Sequence, residues 1–350
     1  MTLNQPEPTP VDHAAPSSVL FGRFGLRAGW SILIFVPLFL LFAAIFILTA
    51  LAAAGKLPQI IANAHTHAPK ITQPHAIPDT LASTAFTTDI TLFAGLALAS
   101  LILSRIESRR FAVYGIGRNR LFDFLPGAFW GLATLSLLVA LLRAFHLLVF
   151  DTRALHGAPV FLFGIKWLLA FLAVGLFEEY LSRGFLQFTL TRGVYGLAEK
   201  ISPTHARAVA FWIAAFFMSL SFSAGHLANA HENPMGIVMT FLAAVVFSYA
   251  LWRTGSLWWA IGFHMAWDWA QSFLYGVPDS GQISAGRLFQ THPAGNPLLS
   301  GGIDGPEGSV YVIPIMLLAI LIIRFTTKPG PQPPLQPDFH PPPMPLEPSL

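Results

Sequence analysis

Residues 30–54 read WSILIFVPLFLLFAAIFILTALAAA, and no side chain in that stretch carries a charge. A helix that crosses a bilayer needs roughly 20 predominantly apolar residues, so this run predicts a membrane span. The ALAAAG at its end resembles a signal-peptide cleavage site. The apolar core of a signal peptide is only about 7–15 residues, however, and the run is longer and follows a long polar stretch, so it reads as an uncleaved first span.

Similar runs recur near 84–104, 126–150, 161–190, 208–230, 235–252, 256–276 and 310–325. They predict an all-α, polytopic transmembrane helix bundle of about eight spans filling 29–325. A polar cytoplasmic tail (1–28) precedes it and a proline-rich, disordered tail (329–350) follows. The run at 161–190 is too long for one simple crossing and is expected to tilt, break or continue along the interface. Composition agrees: of 350 residues, 54% are hydrophobic and 11% charged, with mean hydropathy +0.60. A soluble domain carries about 25% charged residues, so these side chains cannot cover a water-facing surface.

Of the 20 basic residues 15 are Arg, clustered at span ends. Arg23 and Arg27 precede the first span, Arg105 to Arg120 follow the second, Arg183 to Arg207 the fourth, Arg253 the sixth, and Arg324 and Lys328 the eighth. The alternate loops are poor in them. By the positive-inside rule, both termini are expected in the cytoplasm, and the basic pI reflects topology, with no nucleic-acid partner. The chain has no cysteine, which excludes disulfide and thiolate chemistry. Its Arg-rich, Lys-poor, Ala-rich make-up points to a bacterial plasma membrane. His65, His67 and His75 read as part of a solvated loop at 55–88, and the ten prolines of 329–350 predict an extended, solvated tail.

Ionisable residues inside spans are expensive and need a partner or a task. Three groups occur. In Phe177-Glu-Glu-Tyr-Leu-Ser-Arg183, Glu179 and Arg183 are four apart and can pair on one helical face. Glu178 points about 100° away, free to act as a general base. In Phe222-Ser-Ala-Gly-His226, small residues allow close helix approach. In His264-Met-Ala-Trp-Asp268, an acid four residues on can orient the imidazole and support its charge. Each group alone reads equally well as packing glue. Carboxylates and imidazoles on three separate spans favour a functional site. Arg143 and His146, near the end of the third span, can snorkel to the interface and are left out of it.

These groups, in this order, resemble the motifs of the CAAX protease and bacteriocin-processing (CPBP) family, which includes the type II CAAX prenyl endopeptidases. The patterns are Glu-Glu-x-x-x-Arg (Glu178, Glu179, Arg183), Phe-x-x-x-His (Phe222, His226) and His-x-x-x-Asn or a related polar residue (His264, Asp268), over a core of about 160–276. The resemblance implies a glutamate-dependent intramembrane endopeptidase acting on a membrane-associated peptide or protein. Glu178 with His226 would activate water, His264 and residue 268 would stabilise the oxyanion, and Arg183 would hold Glu179. No cofactor is implied. Asp268 departs from the family's Asn, because an ionised carboxylate cannot donate to an oxyanion; it is either protonated or serves His264.

Three other readings use the same residues: a zinc site of two His and two Glu, without a His-Glu-x-x-His motif; a non-enzymatic membrane scaffold; and a proton-linked transporter, for which no duplicated half is evident. Counting along spans also raises a difficulty, since His226 lies about twice as far from the start of its run as His264 does.

Overall fold

The computed structural model describes residues 19–58, 79–229 and 233–338. His65, His67 and His75 lie outside the described residues, as do 1–18 and 339–350. The chain is a helical bundle. Its helices are α1 (Ala28–Ala53), α2 (Ala82–Ile106), α3 (Phe124–Ala144), α4 (Ala158–Glu179), α5 (Gln187–Ile201), α6 (Ala206–His226), α7 (Pro234–Thr254), α8 (Trp258–Trp269) and α9 (Val312–Thr326). Among the described residues, six helical stretches are long and apolar enough to cross a membrane. The other two expected spans are the shorter α8, prolonged by a π-helical turn to Leu274, and α9. The expected eight elements are therefore all present.

α4 and α5 form one continuous rod, Ala158–Ile201, joined by a π-helical segment at Tyr180–Leu186. At 1.5 Å per residue its length is about 66 Å, twice a bilayer core of about 30 Å. α5 ends against the start of α6, where buried Ala198 packs on Ala206 and Ala210. This hairpin removes the depth difficulty. Its turn lies near Ser202, and Glu178 and His226 are each 24 residues from it (202 − 178 and 226 − 202). α6 begins beside the end of α5, whereas α8 begins higher on the rod. Leu257, its N-cap, donates its backbone N–H to Gly115 O, and a side chain at Gly184 would meet both Leu257 and Tyr114.

α8 sits in the middle of the bundle because α3 lets it approach. Cβ atoms at Gly127 and Gly131 would lie 2.1 Å from Trp259 O and 2.2 Å from Phe263 O. Only glycine fits, and the four-residue spacing is the small-residue packing expected between membrane helices. Trp259, Phe263 and Trp267 then join the largest apolar cluster, with residues of α3, α7 and α9.

The third expected span ends early. α3 stops at Ala144, closed by a Schellman motif in which Leu147 N–H reaches Leu142 O and His146 N–H reaches Arg143 O, with His146 at φ 57°. The apolar residues beyond it become a strand, β1 (Leu148–Arg153), antiparallel to β2 (Phe289–Pro293). Arg143 and His146 are exposed there.

The arginines gather at the opposite end of the bundle. There the buried Glu107 carboxylate holds Arg109 and Arg192, each at 2.9 Å. The expectation of a free proline-rich tail needs correction for 329–338. This stretch is extended but docked, because prolines leave carbonyls with no ladder partner and nearby donors take them. Arg109 donates to Leu335 O at 2.7 Å and Arg207 to Pro333 O at 2.5 Å, while Gly330 N–H donates to Arg253 O.

Candidate active site

Glu178 and Glu179 close α4, immediately before the π-helical turn. Adjacent positions send their side chains apart, and the two carboxylates lead different lives. Glu179 is fully buried. Its Oε1 accepts from Arg183 Nη1 at 2.9 Å and from His264 Nδ1 at 2.9 Å. Glu178, with a side chain 28% exposed, faces a cavity of about 510 Å³. The pairing anticipated from the i,i+4 spacing is present, and the link from Glu179 to His264 adds to it.

Arg183 is 1% exposed in its side chain. The guanidinium lies 4.4 Å from the Phe222 ring centroid and 5.6 Å from that of Phe247. Phe222 therefore ties the second motif to the first, since an aromatic face attracts a desolvated cation.

His226 ends α6. Its Nδ1 donates to Phe222 O at 2.9 Å, which leaves Nε2 of the neutral ring as the acceptor. His226 lines the same cavity as Glu178; among the described residues no hydrogen bond joins them directly. His264, in the middle of α8, is surrounded by acids. Besides Glu179 on Nδ1, its Nε2 lies 3.3 Å from Asp268 Oδ2 and 3.8 Å from Glu178 Oε2. Its ring also stacks on Phe247, with centroids 5.6 Å apart. Asp268 and His264 both line the cavity.

The six residues thus divide. Glu178, His226, His264 and Asp268 border one open space, while Glu179 and Arg183 lie behind it. The cavity continues past them to Thr80, Asn229, Gln282 and Glu307, at the end of the bundle away from Arg109, Arg192 and Arg207. There Ser272 donates to Asp279 at 2.9 Å, Ser280 to Glu307, and Thr80 to Gln282 at 3.1 Å. The sequence reading missed Asp89 of α2, which borders the same cavity as Glu178. A single acid in an apolar run was the available signal. Asp279 and Glu307 lie in an aperiodic stretch, where nothing in the sequence marks them.

For the zinc alternative, a site needs at least three protein ligands converging. Among the described residues no three His, Asp or Glu side chains group in that way.

Residues 160–270, which hold all three motifs, match the family model described as Type II CAAX prenyl endopeptidase Rce1-like. No curated protein and no solved structure matches the chain. The family match, together with the apolar helices, makes this an integral membrane protein and supports an intramembrane CAAX-protease-type activity in general.

Proposed function

We propose that the chain is an intramembrane endopeptidase that hydrolyses a peptide bond of a membrane-associated substrate with a water activated by Glu178. The observation that carries this reading is the single cavity to which α4, α6 and α8 bring Glu178, His226 and His264. A water between the Glu178 carboxylate and His226 Nε2 would lose a proton to Glu178 as its oxygen bonds to the scissile carbonyl carbon. Negative charge then develops on the carbonyl oxygen, and His264, held cationic by Glu179 and Asp268, stabilises it. When the C–N bond breaks, Glu178 returns the proton to the leaving amine. No covalent intermediate is required. On this reading Asp268 serves His264 rather than the oxyanion, as its position 3.3 Å from Nε2 suggests.

The arginine-rich end would face the cytoplasm of a bacterial plasma membrane, with both termini. The cavity would then reach the opposite face.

The test uses full-length protein in proteoliposomes with membrane-anchored peptides. Glu178→Gln is expected to lower cleavage at least a hundredfold, within the range for a general base, with unchanged unfolding. Cleavage by the variant at the wild-type rate would overturn the proposal. Assaying after treatment with a zinc chelator addresses the metal: loss of activity, restored by zinc alone, would favour the zinc reading.

A further inference from the structure

Residues 329–338 cross the arginine-rich end of the bundle as an extended strap. They first cap α7. The last carbonyls of a helix have no partner within it, and here Gly330 N–H donates to Arg253 O at 2.9 Å and Gln332 Nε2 to Trp252 O at 2.5 Å. Two glycines key this contact. A Cβ at Gly255 would lie 2.1 Å from Pro331 O, and one at Gly330 would lie 1.9 Å from Thr254 O. Farther along, Arg207 of α6 donates to Pro333 O, Arg109 in the loop after α2 donates to Leu335 O, and Asp338 N–H donates to Ser108 O.

Leu335, 8% exposed, is the one buried residue of the strap. It joins an apolar cluster with Phe188 of α5, Phe211 of α6, Leu251 of α7 and Leu257, the N-cap of α8. The rod, α6 and α8 carry the three motifs, so the strap sits where their supports meet. Both partners of Glu179 stand close by. His264 is seven residues beyond Leu257 (264 − 257), about 10 Å at 1.5 Å per residue. Arg183 borders a small cavity whose wall includes Gln332, Pro333 and Leu335.

The attachment is light. One buried side chain and a handful of hydrogen bonds hold ten residues with no helix or sheet, the features of a segment that opens locally. Five of the ten are proline, whose fixed φ lowers the entropy lost on closing again.

We infer that residues 329–338 are a clasp, and that cleavage requires it shut because it positions α8, with His264, against the rod. This rests on the peptidase reading above and adds a positioning element to that site. A displacement of about 1 Å at a reacting group can cost a hundredfold in rate.

The chain has no cysteine, so Thr191→Cys in the full-length protein reports the clasp: residue 191 borders the cavity under the strap, and its reaction with a bulky maleimide is timed. Adding Leu335→Ser is expected to speed that reaction at least tenfold. In the proteoliposome assay Leu335→Ser should lower kcat at least fivefold with KM unchanged, and Leu335→Met should do neither. In a chain without the reporter, Arg110→Cys and Asp338→Cys, whose parent side chains pair at 3.4 Å, are bridged by a short bis-maleimide. This bridge is expected to raise kcat of Leu335→Ser at least threefold, which restored packing could not explain because residue 335 is unchanged. Slow reaction at 191 in Leu335→Ser, an unaltered kcat once the strap is open, or a bridged chain that stays slow would overturn the clasp. If wild-type protein cuts no peptide, the peptidase reading fails and Asp268→Cys takes the place of the rate. A threefold or larger change in its reactivity on opening sustains the clasp, and unchanged reactivity ends it.

Discussion

Replacing Arg183 by Met tests whether the charge behind the cavity is as tightly balanced as its burial implies. Arg183 Nη1 and Glu179 Oε1 are 2.9 Å apart, with side chains 1% and 0% exposed. At an effective dielectric near 20, their gross attraction is about 6 kcal/mol, much of which offsets the cost of removing both ions from water. The variant leaves the buried Glu179 carboxylate with His264 as its one remaining partner, and losing one member of a buried pair costs about 3–5 kcal/mol. Glu179→Gln leaves the converse, a buried guanidinium, and is expected to cost a similar amount. The double variant removes both charges and should cost about 2–3 kcal/mol less than the sum of the singles. Equilibrium unfolding of the detergent-solubilised chain in SDS, followed by tryptophan fluorescence, measures all three. Single losses below about 1 kcal/mol, the range of an exposed pair, or strictly additive effects, would refute the reasoning. Peptidase activity separates the roles further. The double variant regains stability but stays inactive, because an amide at 179 no longer supports a charge on His264.

Asp268→Asn keeps a polar partner for His264 and the residue found in the family pattern, so activity is expected to remain within about tenfold; Asp268→Leu should lose about 10²–10³-fold, as when one oxyanion-supporting group is removed, both read as initial cleavage rates. Gly131→Ala puts a Cβ against Phe263 O, and this overpacking is expected to cost about 1–3 kcal/mol in the SDS unfolding assay and to lower activity through the adjacent His264. Because the chain has no cysteine, single Cys variants report orientation. Thr152→Cys should react with a membrane-impermeant maleimide in intact cells and Arg118→Cys only after lysis; the reverse pattern would overturn the proposed topology.

The parts legible in the sequence rest on periodicity and on cost. Apolar runs announced the helices, and i,i+4 spacing announced the Glu179–Arg183 and His264–Asp268 pairs. The misread ends have specific causes. The Schellman turn after α3 uses His146 where glycine is the usual signal, so the apolar residues of β1 looked like more helix. The α5–α6 hairpin turns at Ser-Pro within a polar stretch, and without it the register that levels Glu178 with His226 could not be counted. The tail was read by composition alone. Composition gives its extended shape but says nothing of the arginines waiting at the far end of the bundle for its carbonyls. Asp89 has no ionisable residue three or four positions away to mark a group, although the cost argument applies equally to a single acid.

Three acids around one imidazole would be an unfavourable arrangement if all were equivalent, and the geometry makes them unequal. Glu179 is sealed at 0% exposure and holds two charge-bearing partners; Asp268, at 12%, holds one; Glu178, at 28%, has its nearest basic group 3.8 Å away and open space in front of it. That gradient follows from the helices themselves. α4 turns successive side chains about 100° apart, so one glutamate must point into the bundle if the other points into the cavity. The π-helical turns begin directly after Glu179 and after Trp269, a feature that recurs at functional sites, and they end the α-helical register just past the acids on both antiparallel rods. A base needs a carboxylate reachable by water, and the oxyanion needs a cation that cannot lose its counter-charge. Adjacent glutamates on a buried helix meet both requirements with one pair of residues, provided an arginine four positions on neutralises the inner one. On the proposed mechanism, this is why Glu-Glu-x-x-x-Arg joins the two roles within one helix.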